Sequence, residues 1–224
     1  AISDQDLHTI GQACRDHMLI TGGSGVALGL PGNFECQGLL HHKAQAATMP
    51  SLPGHSLVVS GSCSKATNEQ VAHWLQSRVG FQIDPLALHR GEPMVQKAVK
   101  FARSRLVQEP VLIYATNSPE AVGAVQAAIG IERAGQLVED ALAEISKSLV
   151  ETGVSRLICA GGETSGAIVK ALGIQTLQVG PQIDPGVPWM ATRAGSHPMA
   201  IALKSGNFGS VDFFEKALRM LDAP

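Results

Sequence analysis

Aromatic residues make up only 4% of this 224-residue chain. A surface that stacks successive bases of a single strand needs aromatic rings, so this shortage argues against such a platform. No apolar run reaches the roughly 18 residues that a membrane-spanning helix needs. The opening residues, AISDQDLHTI, lack the basic and apolar parts of a secretory signal. Net charge is −2, which leaves no basic field to hold nucleic acid or an anionic membrane, so neither is an expected partner. The four cysteines, Cys14, Cys36, Cys63 and Cys159, form no C-x-x-C pair, which excludes a zinc knuckle and a thioredoxin-type motif. Cys159 lies in an apolar run and reads as a buried free thiol, and the set points to a reducing compartment, the cytoplasm.

Several catalytic signatures are also missing. There is no G-x-x-x-x-G-K-S/T of a P-loop and no G-x-G-x-x-G of a dinucleotide fold. The nearest approach to a G-x-S-x-G nucleophile elbow, Gly22-Gly23-Ser24-Gly25-Val26, fails at its last position. The histidines, His41-His42, His55 and His197 among them, show no H-x-x-x-H spacing, so no protein-built metal site is expected.

What is present is glycine, 24 residues of it, in a chain that is 45% hydrophobic and 16% charged. That length and composition suit one sizeable α/β domain or two small ones. Ser3 followed by Asp6 reads as a capping box, so a helix is expected over Ser3–Asp16. A short strand, Met18–Thr21, precedes the Gly22–Gly25 turn. The Pro/Gly/His-rich passage from Pro31 to His55 reads as loop with one helix around Leu39–Ala47, and it supplies the expected division into residues 1–55 and 56–224.

From Ser56 strands and helices alternate. Strands are expected at Leu57–Ser60, Phe81–Asp84, Val111–Ala115, Leu157–Ala160 and Thr176–Val179. Helices are expected at Ala66–Val79, Pro93–Val107, Glu120–Glu151 and Ser165–Leu172. Trp189–Thr192 and Met199–Lys204 read as a hairpin joined through Gly195-Ser196-His197-Pro198, and a last helix spans Val211–Leu221 behind an N-cap at Ser210. The predicted fold class is α/β: a mostly parallel, Rossmann-like sheet with helices on both faces and an antiparallel edge near the C-terminus.

Glycine turns recur where strands end. They are Gly22–Gly25, Gly61-Ser62-Cys63-Ser64, Gly161-Gly162-Glu163-Thr164-Ser165-Gly166 and Ser205-Gly206-Asn207-Phe208-Gly209. In an open parallel sheet the carboxyl ends of the strands share one edge, where ligands bind. Glycine lets the backbone approach an anion, the free N–H groups of the following helix point at it, and Ser and Thr add donors. One such turn is ordinary; four on one edge point to a phosphate-bearing ligand. Around them some assignments stay open. Asp84, about 20 residues after the Gly61 turn, stands either as a ribose-binding acid or as a simple turn start. Glu163 suits a water-mediated metal contact, ribose hydroxyls, or a helix's first turn. Lys204 suits a phosphate partner or a solvated surface site.

Five stretches together resemble the four-carbon acid sugar kinase family, most nearly its 3-oxo-tetronate kinase branch. They are TGGSGVALGLPGNF (21–34), VVSGSCSKAT (58–67), AGGETSGAIVKALG (160–173), VGPQIDPGVPW (179–189) and ALKSGNFG (202–209). They run through essentially the whole chain and correspond to the family's C-terminal, nucleotide-binding half. The resemblance implies an ATP-dependent transfer of phosphate to the 4-hydroxyl of a four-carbon sugar acid, with Mg²⁺ carried by the nucleotide. It implies ATP contacts from Ser60, Gly61, Ser62 and Ser64, from Gly161, Gly162, Glu163, Thr164 and Ser165, and from Ser205, Gly206 and Asn207. The family also has an N-terminal sugar-acid domain with an Asp-Asp-x-Thr-Gly-Ala-like motif, and nothing of that kind occurs here. The expectation is therefore a nucleotide-binding part without the catalytic base, inactive by itself. A non-catalytic nucleotide- or phosphosugar-binding module and an NAD-dependent dehydrogenase domain are the alternatives, and assembly of identical chains stays open.

Overall fold

In the computed structural model of the chain, which describes residues 1–41, 43–192 and 198–222, the residues group into two compact units, Ala1–Ala46 and Ala47–Pro224. The second of the two expected histidines at 41–42, and the expected hairpin connection through Gly195, Ser196 and His197, lie outside the described residues.

The first unit holds α1 (Asp4–Ala13), a 3₁₀ turn (Ser24–Gly29) and α2 (Pro31–Cys36). The capping box is present: Ser3 Oγ accepts from the Asp6 N–H, and Asp6 accepts from the Ser3 N–H. Asn33 Nδ2 donates to the Gly11 carbonyl at 2.8 Å and ties α2 to α1. Two expectations fail here. Met18–Thr21 is not a strand; Met18 and Leu19 are exposed and no neighbouring strand offers them a ladder. The helix expected around Leu39–Ala47 is only a turn, and the helical structure lies earlier, where Pro31 at the first turn starts α2.

The second unit is a seven-stranded sheet. Its strands are β1 (His55–Ser60), β2 (Gly80–Gln82), β3 (Val111–Tyr114), β4 (Val154–Ala160), β5 (Leu177–Asp184), β6 (Val187–Thr192) and β7 (Ala200–Lys204). The order is β2-β3-β1-β4-β7-β6-β5. The five strands from β2 to β7 pair in parallel, and β6 and β5 complete an antiparallel edge, as the sequence pattern predicts. The sheet unit includes the stretch before β1, where residues 49–53 dock on its core. Met49 and Leu52 pack against its core, Ser155 Oγ donates to Pro53 O, and Arg156 Nε donates to Leu52 O.

Alternate residues of the central strands bury on opposite faces. Leu57, Val59, Val111, Ile113, Leu157 and Cys159 face one layer, made by α5 (Met94–Arg105), α7 (Ile131–Val150) and α8 (Gly162–Ala171). Val58, Leu112, Ile158, Ala200 and Ala202 face the other, made by α3 (Lys65–Leu75) and α9 (Phe213–Asp222). Both faces are covered, so these strands read as unbroken apolar runs.

α4 (Pro85–His89) and α6 (Pro119–Ile129) complete the described helices. The single long helix expected over Glu120–Glu151 is two, α6 and α7, broken at Gly130, whose φ of 86° and ψ of 151° leave the helical region. Ser210 does not cap α9 with its side chain. Its hydroxyl turns to Asp184 and Asp212 and its N–H to Asp184, a carboxylate that Lys216 also pairs.

Candidate functional site

The strand register brings three of the four glycine turns to one edge. Ser60 stands opposite Tyr114 on one side and Ala160 on the other, and Ala160 stands opposite Lys204. Gly61, Ala115, Gly161 and Ser205 therefore leave the sheet side by side. The fourth turn, Gly22–Gly25, belongs to the first unit and follows no strand, so three turns share the edge rather than four.

From β1 the chain passes to α3 on one face, and from β4 to α8 on the other. Strands β1 and β4 are neighbours, so the sheet's switch point lies between them, the usual place for a crevice. The two turns meet there. A Cβ on Gly161 would stand 3.2 Å from Ser62 N, and one on Gly61 would collide with Thr164 Oγ1. Gly161 also has φ of 126°, which only glycine adopts without strain.

A cavity of about 410 Å³ opens beside this crevice. One end is the glycine turns: Gly61, Ser62, Cys63, Gly161, Gly162, Glu163 and Thr164. The α6–α7 pair supplies a mainly apolar part of the lining, Ala121, Val122, Val125, Ala134 and Val138, together with Gln126 and Glu139. The N–H groups of Gly162, Glu163 and Thr164 form the open first turn of α8, and the first intrahelical bond runs from Ser165 N to Gly161 O at 2.9 Å. A pocket with free amides and a helix dipole at one end and aliphatic side chains along the other suits a molecule with an anionic end and a flat apolar end.

Of the twelve residues singled out in the sequence, Gly61, Ser62, Gly161, Gly162, Glu163 and Thr164 line this cavity. The others stand around it. Ser60 is buried and its hydroxyl shares a 2.6 Å bond with Thr116 Oγ1, linking the ends of β1 and β3. Ser165 is buried with its hydroxyl toward Cys159 O. Ser64 caps α3, accepting from Thr67 N, and its hydroxyl donates to Gly206 O at 2.6 Å. Gly206 lies against Ser62 and Ser64, so the Ser205–Asn207 turn borders the serine turn directly.

The electrostatics are uneven. Glu139, on α7, lines the cavity; burial and then the charges of Glu163 and Asp140 push its carboxyl above the usual range. Burial also raises the Cys159 thiol, keeping it an inert core side chain. Lys204 is fully buried, and burial lowers its ammonium to about 8. Asp84 is the N-cap of α4: its Oδ1 accepts from Leu86 N at 2.8 Å and Arg90 lies 3.8 Å away. That is the turn-start role.

Sequence reasoning missed the β3 end and the apolar wall. Ala115 and Asn117 line the cavity, and Asn68 Nδ2 fixes the Asn117 carbonyl at 3.1 Å. The small residues at 121, 122, 125, 134 and 138 recur at helical spacing, but only the break at Gly130 folds them toward one space.

The family model described as a nucleotide-binding C-terminal domain matches residues 57–214. The chain belongs to that family. The match takes in the crevice and all three turns on the edge. A 3-oxo-tetronate kinase of Burkholderia multivorans is 57% identical over 99% of this chain and 51% of its own length. One from Cupriavidus necator is 55% identical, again over 99% of this chain and 51% of its own length. A solved Haemophilus influenzae protein superposes with a TM-score of 0.81 at 34% identity, covering 99% of this chain and 52% of that one. The chain thus spans about half the length of the curated relatives it matches. No helix among the described residues is long and apolar enough to cross a membrane.

Proposed function

We propose that this chain is the ATP-binding part of an enzyme that phosphorylates the 4-hydroxyl of a four-carbon sugar acid, with 3-oxo-tetronate as the acid. The observation that carries the reading is a cavity lined by two amide-rich turns, 61–63 and 161–164, and by aliphatic side chains of α6 and α7, with the 205–207 turn bordering it at Ser62. Nucleotide phosphates would take the N–H groups of the 162–164 turn and the hydroxyls of Ser62 and Thr164. The base would lie against Val122, Val125 and Val138. Two relatives that share more than half of their aligned residues with this chain carry the name 3-oxo-tetronate kinase, which supports the choice of acid.

The described residues contain no group of three His, Cys, Asp or Glu side chains that could hold a metal ion. Mg²⁺ would arrive with the nucleotide and neutralise phosphate charge when bound, with Glu163 and Glu139 the carboxylates that line the cavity. Phosphoryl transfer is mainly positioning and charge stabilisation. This chain's share is to hold the triphosphate still and dry. The sugar acid and the base that takes its proton belong to the half of the protein that this chain does not span. Residues from 56 onward would carry the nucleotide, with residues 1–55 as the segment that joins them to the sugar-acid domain. A cytoplasmic site of action fits the four free cysteines and the supply of ATP.

The test is ADP release by the complete protein with 3-oxo-tetronate, threonate or erythronate supplied in turn. The reading predicts release that depends on the acid and is fastest with 3-oxo-tetronate. ATP binding with no acid-dependent release would instead favour a non-catalytic module.

A further inference from the structure

Lys204 ends β7 with its side chain entirely buried, yet no carboxylate among the described residues pairs with it. An uncompensated buried ammonium is costly, so its three N–H donors need acceptors. They find Thr67 Oγ1 at 3.0 Å, Ser205 O at 3.1 Å and Gly206 O at 3.1 Å. Two of the three are carbonyls of the turn that follows the strand. Gly206 O accepts twice more, from Ser64 Oγ at 2.6 Å and Thr67 Oγ1 at 2.8 Å. One turn further along α3, Gln70 Nε2 takes the carbonyls of Phe208, Gly209 and Ser210 at 3.0–3.1 Å. The carbonyls of 205, 206, 208, 209 and 210 are all drawn inward, by Lys204 and one stripe of α3.

The peptide plane turns this into a consequence for the opposite side. In a trans peptide the carbonyl of one residue and the N–H of the next point in opposite directions, and no cis peptide occurs among the described residues. With the Ser205 and Gly206 carbonyls fixed on the ammonium, the N–H groups of Gly206 and Asn207 must face away from it. Neither has a hydrogen-bond partner among the described residues. Gly206 itself lies against Ser62, which lines the cavity together with Gly61 and Cys63, so the turn borders the cavity's serine side.

We infer that Lys204 is a positioning residue for the nucleotide phosphates, holding the 205–207 turn so that two backbone amides are fixed toward the anion before it arrives. It never needs to touch the phosphates: its charge is spent on the carbonyl side of the same peptides. The inference rests on the nucleotide reading above and goes beyond it by assigning the turn's geometry to one buried cation. The groups bonded to the ammonium are the Thr67 hydroxyl from α3 and the Ser205 and Gly206 carbonyls, and none of them titrates. Phosphate charge arriving on the far side of the turn favours the protonated ammonium. Binding near pH 8 should therefore draw a proton onto Lys204.

The experiment is calorimetric titration of ATP into the complete protein near pH 8, in two buffers of different ionisation heat, for the unsubstituted protein, Lys204→Met and Thr67→Val. The expected result is net proton uptake by the unsubstituted protein. Uptake should vanish in Lys204→Met, with affinity lower by about tenfold or more, the scale of losing charge-assisted hydrogen bonds. Thr67→Val, which keeps the ammonium but removes one anchor, should bind several-fold more weakly and still take up a proton. It decides the matter if Lys204→Met does not fold. A folded Lys204→Met with unchanged affinity and unchanged uptake overturns the inference, as does an unchanged affinity in Thr67→Val. Failure of the unsubstituted protein to bind ATP overturns the nucleotide reading itself and this inference with it.

Discussion

A Cβ on Gly61 would collide with Thr164 Oγ1 and stand 3.1 Å from the Cδ1 of the fully buried Leu142. Gly61→Ala is therefore predicted to destabilise the protein by about 1–3 kcal/mol, the usual range for overpacking, as read from urea unfolding. The sequence shows Gly61 as a turn residue, but only the approach of the two turns explains why the position has no room. Lys204 is the opposite case. From sequence, a lysine at a strand end suits a solvated surface site as well as a phosphate partner, because nothing local shows that Ser64, Thr67 and two carbonyls will close over it. Its depressed value sets a sign. Between about 8 and the ordinary 10.5 the unfolded chain binds a proton that the folded chain does not, so this group's contribution to stability rises with pH across that window. Nucleotide affinity should fall over the same window, as the ammonium that orders the 205–207 turn is lost. Unfolding measured at pH 8 and pH 10 should show the rise in the unsubstituted protein and not in Lys204→Met. An equal slope in both would contradict the assignment.

At the scale of elements, the α6–α7 pair makes the apolar wall, and its geometry depends on the break at Gly130. Its φ and ψ together fall in a region essentially closed to other residues, so Gly130→Ala should cost about 1–3 kcal/mol. Val125→Trp on α6 acts differently. It fills part of the 410 Å³ cavity from a half-buried position, and should raise the apparent KM for ATP at least several-fold with little change in Tm. A KM that does not move would place the base elsewhere. The central strands were legible because burial on both faces makes them apolar runs, as in LVVS and LICA. Met18–Thr21 has the same local look but no partner strand, and pairing is what makes a strand. The three turns on the edge were legible from their glycines. The cavity wall was not, because it joins residues of β3, α6 and α7 that only the chain's crossing from β3 to β4 brings opposite the turns.

For the whole molecule, the sheet order places β1 and β4 side by side while their following helices leave on opposite faces. That single topological fact makes the crevice. It also shows how the proposed nucleotide site would need no P-loop or G-x-G-x-x-G: its amides would come from turns far apart in sequence, the serine turn and the 205–207 turn being joined by a Ser64–Gly206 bond across 142 residues. Since the chain spans about half of its curated relatives, residues 1–224 alone are predicted to bind ATP and to release no ADP in the presence of 3-oxo-tetronate, whereas the complete protein should do both. Acid-dependent ADP release by residues 1–224 alone would mean that the base lies within this chain.

The most direct test of phosphate binding at the glycine turns uses Gly162. No atom outside its own helix and chain neighbours lies within 4 Å of where its Cβ would stand, and its φ is not in the left-handed region, so the backbone there accepts a Cβ without a clash. Calorimetric titration of ATP with Mg²⁺ into the unsubstituted protein and into Gly162→Val therefore separates fold from function. Binding in the first, and an affinity lower by about tenfold or more in a variant of unchanged Tm, is the predicted result, since a valine there would occupy the space through which a phosphate reaches the amides of 162–164. Equal affinity in both proteins would show that the phosphates do not lie on the first turn of α8.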